Sequence, residues 1–189
     1  MSDDPLSNAL GAARGVRNWD ALAALIAALI GVMALLVSGY TAYIQRQQVR
    51  AQVWPYLIIG YADNDRSIVV VNKGVGPAQV RTVQVLVDDK AQRNWHDVLQ
   101  VLGLDADNFD QSTISHNVLS AGERLEVIKM PDAAHYERFR VAAQKRVTMS
   151  ICYCSTLDEC WVRDRKVRNQ IEMQVDACPA LPLEQQFRD

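Results

Sequence analysis

The chain has 189 residues, 49% of them hydrophobic and 22% charged, which suits one globular domain of ordinary size plus a short appendage and excludes a disordered chain. Twenty Lys and Arg against twenty-two Asp and Glu leave a formal charge of −2, so no global field draws the chain to nucleic acid or another polyanion.

Residues 1–20 read as a short N-terminal tail. From Ala21 to Ile44 the text ALAALIAALIGVMALLVSGYTAYI carries no charge, and at about 1.5 Å per residue a helix over it covers roughly 36 Å, enough to span a bilayer. Trp19, Tyr40 and Tyr43 fall where aromatic rings favour the headgroup layer. A signal peptide has an apolar core of about 7–15 residues closed by small residues. This run is longer, and its nearest cleavage context, Val37-Ser38-Gly39, lies inside it. The expectation is therefore an uncleaved single-pass transmembrane helix over 21–44.

Arg14 and Arg17 before the helix balance Arg46 and Arg50 after it, so the positive-inside comparison is tied. The free amino terminus tips it toward a cytoplasmic tail and an exported C-terminal domain. Ala24, Ala27, Gly31, Ala34, Ser38 and Thr41 recur at intervals of 3, 4, 3, 4 and 3, which puts small residues on one face at the period of a left-handed supercoil. That face is the candidate for self-association.

Residues 45–54 read as a helical extension that Pro55 stops, because proline lacks the N–H donor and disfavours helix in its predecessor. A domain over 55–176 follows, with seven β-branched runs: YLIIGYA, RSIVVVN, AQVRTVQVLV, ERLEVIKM, RVTMSICYC, CWVRDRKV and IEMQV. Asp63-Asn64-Asp65 and Lys73-Gly74-Val75-Gly76-Pro77 are turns between them. In the second, the glycines are expected to supply positive φ and Pro77 to preset the exit into the next strand, making Asn72, Gly74, Gly76 and Pro77 a structural turn. Two helical insertions are expected. One has Trp95, Val98, Leu99 and Leu102 on one face between an Asn94 cap and a Gly103 stop, and the other runs from about Asp132 to Lys145 with Tyr136, Phe139 and Ala143 inward. Residues 177–189 read as a C-terminal tail.

The segments VVVNKGVGPAQVRTVQV and VLSAGERLEV resemble a recurring pair of elements in bacterial single-pass membrane proteins that carry an immunoglobulin-like β-sandwich after the transmembrane helix. The resemblance covers Pro55 to about Val175. It implies a mainly β fold, an immunoglobulin-like antiparallel sandwich with the two helices inserted, tethered to a membrane, and it brings no activity with it.

Chemistry is sparse. His96, His116 and His135 stand apart, with no second ligand at H-E-x-x-H spacing, and neither a G-x-S-x-G elbow nor a phosphate-binding G-x-x-x-x-G-K is present. The loop from Asp105 to Asp110 has calcium-like spacing, but an EF-hand wants Gly where Asp110 sits and Glu where His116 sits. The run Arg163-Asp164-Arg165-Lys166-Val167-Arg168 sends its charges to opposite faces of a strand and is read as an edge protected against pairing. No enzyme, cofactor or metal is expected.

Three of the four cysteines fall within ICYCSTLDECW. Cys152 and Cys154 share a strand face, and in a hairpin Cys154 comes opposite Cys160, at the spacing a cross-strand disulfide needs. Cys152 and Cys178 are then the second pair, among three possible connectivities, with reduced thiols as the competing state. C-x-C-x5-C lacks the paired knuckles of a zinc site and the C-x-x-C of a redox helix. Disulfides would place the domain in an oxidising space, in agreement with the orientation above. The expectation is an inner-membrane protein with a periplasmic domain that binds an unidentified protein partner and oligomerises through its helix, without nucleic acid. The alternative is a ligand-sensing effector whose helix permeabilises the bilayer.

Overall fold

The computed structural model describes residues 5–166 and 169–189, with side chains described outside 5–18 and 165–171. Contacts divide the chain into two units, Met1–Val49 and Arg50–Asp189.

The first unit is helical. Helix α1 runs unbroken from Pro5 to Gln52, so the stretch expected as a tail through residue 20 is helical from Pro5 onward. Proline is tolerated in a first turn, where its missing N–H has no partner to lose, and the Leu- and Ala-rich residues after it favour helix. Within α1 the stretch Trp19–Gln52 contains an 18-residue window with a mean hydropathy of 2.7 and is long and apolar enough to cross a membrane. Its large apolar side chains are exposed, among them Leu25, Leu35 and Leu36.

In the second unit all seven expected runs form strands: β1 (Leu57–Ala62), β2 (Ser67–Asn72), β3 (Ala78–Val87), β7 (Arg124–Lys129), β8 (Val147–Cys154), β9 (Cys160–Lys166) and β10 (Asn169–Val175). Three short strands join them: β4 (Lys90–Gln92), β5 (Asp110–Gln111) and β6 (Val118–Leu119). The pairings are antiparallel and make two sheets, one in the order β1-β2-β7-β5, the other β10-β9-β8-β3-β4 with β6 on β3. Inward residues of both sheets belong to one hydrophobic core, with Leu57, Ile59 and Val70 from the first and Val85, Ile151 and Tyr153 from the second.

Strand β3 shows how the pattern reaches the core. Ala78 and Val80 are buried, then Val83, Val85 and Val87, so the inward parity changes from even to odd along one strand. The pairing of β3 with β8 slips between Val80 and Thr82. The extra residue of that bulge, Arg81, restores the inward face for the valines that follow.

Both helical insertions are present. Helix α2 (Trp95–Leu102) starts at Asn94, whose side chain accepts from the Asp97 N–H at 2.8 Å, and ends at Gly103 with φ +72°. Helix α3 (Ala133–Arg146) starts at Asp132, which accepts from the His135 N–H at 2.8 Å. Each cap satisfies an N–H that the first turn leaves unpaired. Trp95, Val98 and Leu99 from α2 and Phe139 from α3 are fully buried, and burial of such a side chain contributes about 1.5–3 kcal/mol.

Two expectations need correction. Strand β9 lies between β8 and β10, so the basic run is no protected edge, and Arg163 is only 3% exposed. Val167 and Arg168 of that run lie outside the described residues. The tail over 177–189 is not loose either. The Phe187 N–H donates to the Val83 carbonyl at 3.0 Å, its ring is 2% exposed, and it meets Trp95 edge-on at 5.1 Å. The Asp189 carboxylate accepts from the Ile114 and Ser115 N–H groups, and the Ser115 hydroxyl donates to the Phe187 carbonyl at 2.9 Å.

Candidate functional site

The densest convergence of expected residues is around Asn72, at the end of β2 and fully buried. Its Oδ1 accepts from the Gly74 N–H at 3.0 Å and from the Tyr56 N–H at 3.2 Å. Its Nδ2 donates to the Gly76 carbonyl at 2.8 Å and to the Leu119 carbonyl at 3.0 Å. Its main chain accepts from Gly122 and donates to Glu123, both at 2.9 Å. One residue thus joins three segments: the chain entering the domain and the glycine loop through its amide, and the turn over Ser120–Glu123 through its main chain. Gly122, at φ +77°, takes the left-handed conformation in that turn, where glycine carries no Cβ penalty.

Gly74 and Gly76 do not have the positive φ expected of them. They are needed for space. A Cβ on Gly74 would collide with the Trp54 and Tyr56 backbone, and one on Gly76 with the Val53 backbone. That approach lets the Val75 and Gly76 N–H groups donate to the Trp54 carbonyl at 3.0 and 3.1 Å, and Lys73 to the Tyr56 carbonyl at 2.7 Å. Pro77 leads directly into β3.

In the second sheet, where Cys154 pairs with Gln79 at the start of β3, Cys154 is bonded to Cys160 and Cys152 to Cys178. Cys154 and Cys160 are register partners of β8 and β9. The hairpin between them is held by Ser155, whose N–H donates to the Glu159 carbonyl at 2.8 Å and whose hydroxyl accepts from the Leu157 and Glu159 N–H groups. Trp161, 8% exposed, stacks on Tyr153 at 6.0 Å. Three of the sulfurs, on Cys154, Cys160 and Cys178, lie within 4.8 Å of one another.

A third cluster was not foreseen. Arg163 on β9 reaches across to the first sheet, its Nε donating to the Leu57 carbonyl at 2.7 Å and its guanidinium lying 4.5 Å over the Tyr56 ring. Glu172 on β10 stands 3.6 Å from the same guanidinium and accepts from the Tyr153 hydroxyl, which itself accepts from the Leu57 N–H at 3.3 Å. Burial, then the Glu172 carboxylate, holds the Tyr153 phenol well above its ordinary value. Tyr136 is raised the same way, by burial and then by Asp63, to which its hydroxyl donates at 2.6 Å. The alternation of β9 held the signal for Arg163: Trp161 and Arg163 face the way of their partners Tyr153 and Ile151, both fully buried.

The remaining candidates stay apart. His96 has Asp97 and Asp107 carboxylates 4.0 and 3.8 Å away, His135 is buried on α3, and His116 sits in a loop at φ +59°. In the acidic loop Asp105 accepts from the Asp107 N–H at 3.0 Å. On α1, Ala24, Ala27, Gly31, Ala34, Ser38 and Thr41 lie on one unbroken helix, and the Thr41 hydroxyl donates back to the Val37 carbonyl at 2.8 Å. Comparison with known protein families, with curated proteins and with solved structures finds no match.

Proposed function

We propose that the chain is a membrane-anchored binding and assembly module. Its helix spans the inner membrane once, its β domain, an immunoglobulin-like sandwich, lies on the periplasmic side, and the domain contacts a protein partner. The small-residue face of α1 brings copies together.

The observation that carries this reading is the stretch Trp19–Gln52 of α1, long and apolar enough to cross a membrane, in one chain with a domain of two antiparallel sheets. Two disulfides agree with an oxidising compartment.

Crosslinking in native membranes tests it. The reading expects a homo-oligomer that disappears when residues 21–44 are replaced by an unrelated apolar span, and a heteromeric product that persists in that replacement because the domain makes it. Absence of any heteromeric product, together with toxicity on overproduction that depends on the native span, would favour a membrane-permeabilising effector instead.

A further inference from the structure

We propose that the four cysteines form a thiol–disulfide exchange site that takes a dithiol as co-substrate, with Cys154 as the exchanging group and Cys178 passing between two partners. The two disulfides touch. Cys154 and Cys178 belong to different bonds, yet their sulfurs are 3.8 Å apart. Cys154, Cys160 and Cys178 also line one open cleft of about 410 Å³ together with Arg81, Asp158 and Asp176. A solvent thiol therefore has a way in, past Arg81, which is paired with Asp158 at 3.6 Å.

Cys178 is held differently from the two cysteines of β8. Cys152 and Cys154 are fixed on β8 by its pairing with β3 and β9. Cys178 lies past β10, in a segment over 176–180 without helix or strand. It can change partners without breaking a sheet ladder.

The exchange balances in two steps. A thiolate of the dithiol attacks the Cys160 sulfur, the Cys154–Cys160 bond breaks, and Cys154 leaves as thiolate. The second thiol of the reductant displaces Cys160 from the mixed disulfide, so the reductant is oxidised to its own disulfide and the protein gains two electrons. Cys154 thiolate then attacks the Cys178 sulfur. The Cys154–Cys178 bond forms, the Cys152–Cys178 bond breaks, and the electron pair goes to Cys152, which takes a proton from water. This second step is redox-neutral and leaves Cys152 and Cys160 as the free thiols.

Full-length Cys160→Ser, purified in detergent, alkylated and mapped by proteolysis without reductant, tests the exchange. The expected result is a Cys154–Cys178 link with Cys152 alkylated in at least about a tenth of the molecules, formed about tenfold faster per pH unit from pH 6 to 8 as the thiolate fraction rises. A map with only Cys152–Cys178 and with Cys154 alkylated overturns the proposal. Because that variant can lose its fold, the unaltered chain is also treated with one equivalent of dithiothreitol and quenched with N-ethylmaleimide. Label on Cys152 and Cys160 with a Cys154–Cys178 link supports the exchange, and label on Cys154 and Cys160 alone overturns it.

Discussion

Asn72 is the side chain on which most of the domain's local order converges, because all of its amide hydrogen-bonding groups used in the knot serve main-chain atoms of other segments. Asn72→Ala would strand buried donors and acceptors at about 1–3 kcal/mol each, so a loss of at least about 3 kcal/mol is expected in urea unfolding of the detergent-solubilised chain. A loss below about 1 kcal/mol would mean that water replaces the amide. The Tyr153 phenol gives a pH signature. Its folded pKa is raised, so the unfolded chain ionises first, and the contribution is fully present below the ordinary tyrosine range and is lost as pH rises through it toward the folded value. Alkaline unfolding above about pH 10 should therefore be shallower in Tyr153→Phe than in the parent. Asn72 was legible as a turn residue because Gly74, Gly76 and Pro77 follow it, but its partners at Tyr56 and Leu119 are distant in sequence and left no local mark. Arg163 looked like surface charge for a related reason: the acid that faces it, Glu172, comes from another strand.

At the scale of elements, strands and helix ends were the legible part. Period-two alternation and side-chain caps are written within a few residues, as at Asn94 and Gly103. The C-terminal segment was not legible. Its polar, proline-containing text has no period, and a single ring, Phe187, does the anchoring against Trp95. Truncating that ring, Phe187→Ala, should cost about 3–5 kcal/mol by calorimetry or urea unfolding, as for any large core side chain. The disulfides differ in what they constrain. Cys152–Cys178 spans 26 residues and Cys154–Cys160 spans 6. Chain-entropy reasoning gives about 3.5 kcal/mol for the longer loop against about 2.2 for the shorter. Replacing the Cys152–Cys178 pair by serines should therefore lower stability more than replacing Cys154–Cys160, and the reverse order would show that native contacts around the hairpin outweigh loop length.

At the scale of the whole molecule, one long apolar helix joins a domain of two antiparallel sheets. The helix was plain in the sequence because no charge interrupts it from Ala21 to Ile44, whereas its start at Pro5 was masked by the polar residues that precede the apolar run. Packing between copies should depend on the small face. Gly31→Leu with Ala34→Leu should abolish dimer crosslinking in membranes while Ile26→Leu with Met33→Leu, off that face, leaves it intact, and unchanged crosslinking would remove the helix from the assembly. Compartment is the point on which the functional reading turns, since the arginines flanking the helix cancel and the cysteines do not. The most direct measurement is labelling of intact cells with a membrane-impermeant maleimide, with and without an impermeant reductant. An exported, disulfide-bonded domain predicts labelling of intact cells only after reduction. Labelling that appears only after lysis, whether or not reductant is present, would place the domain in the cytosol with free thiols and contradict the account.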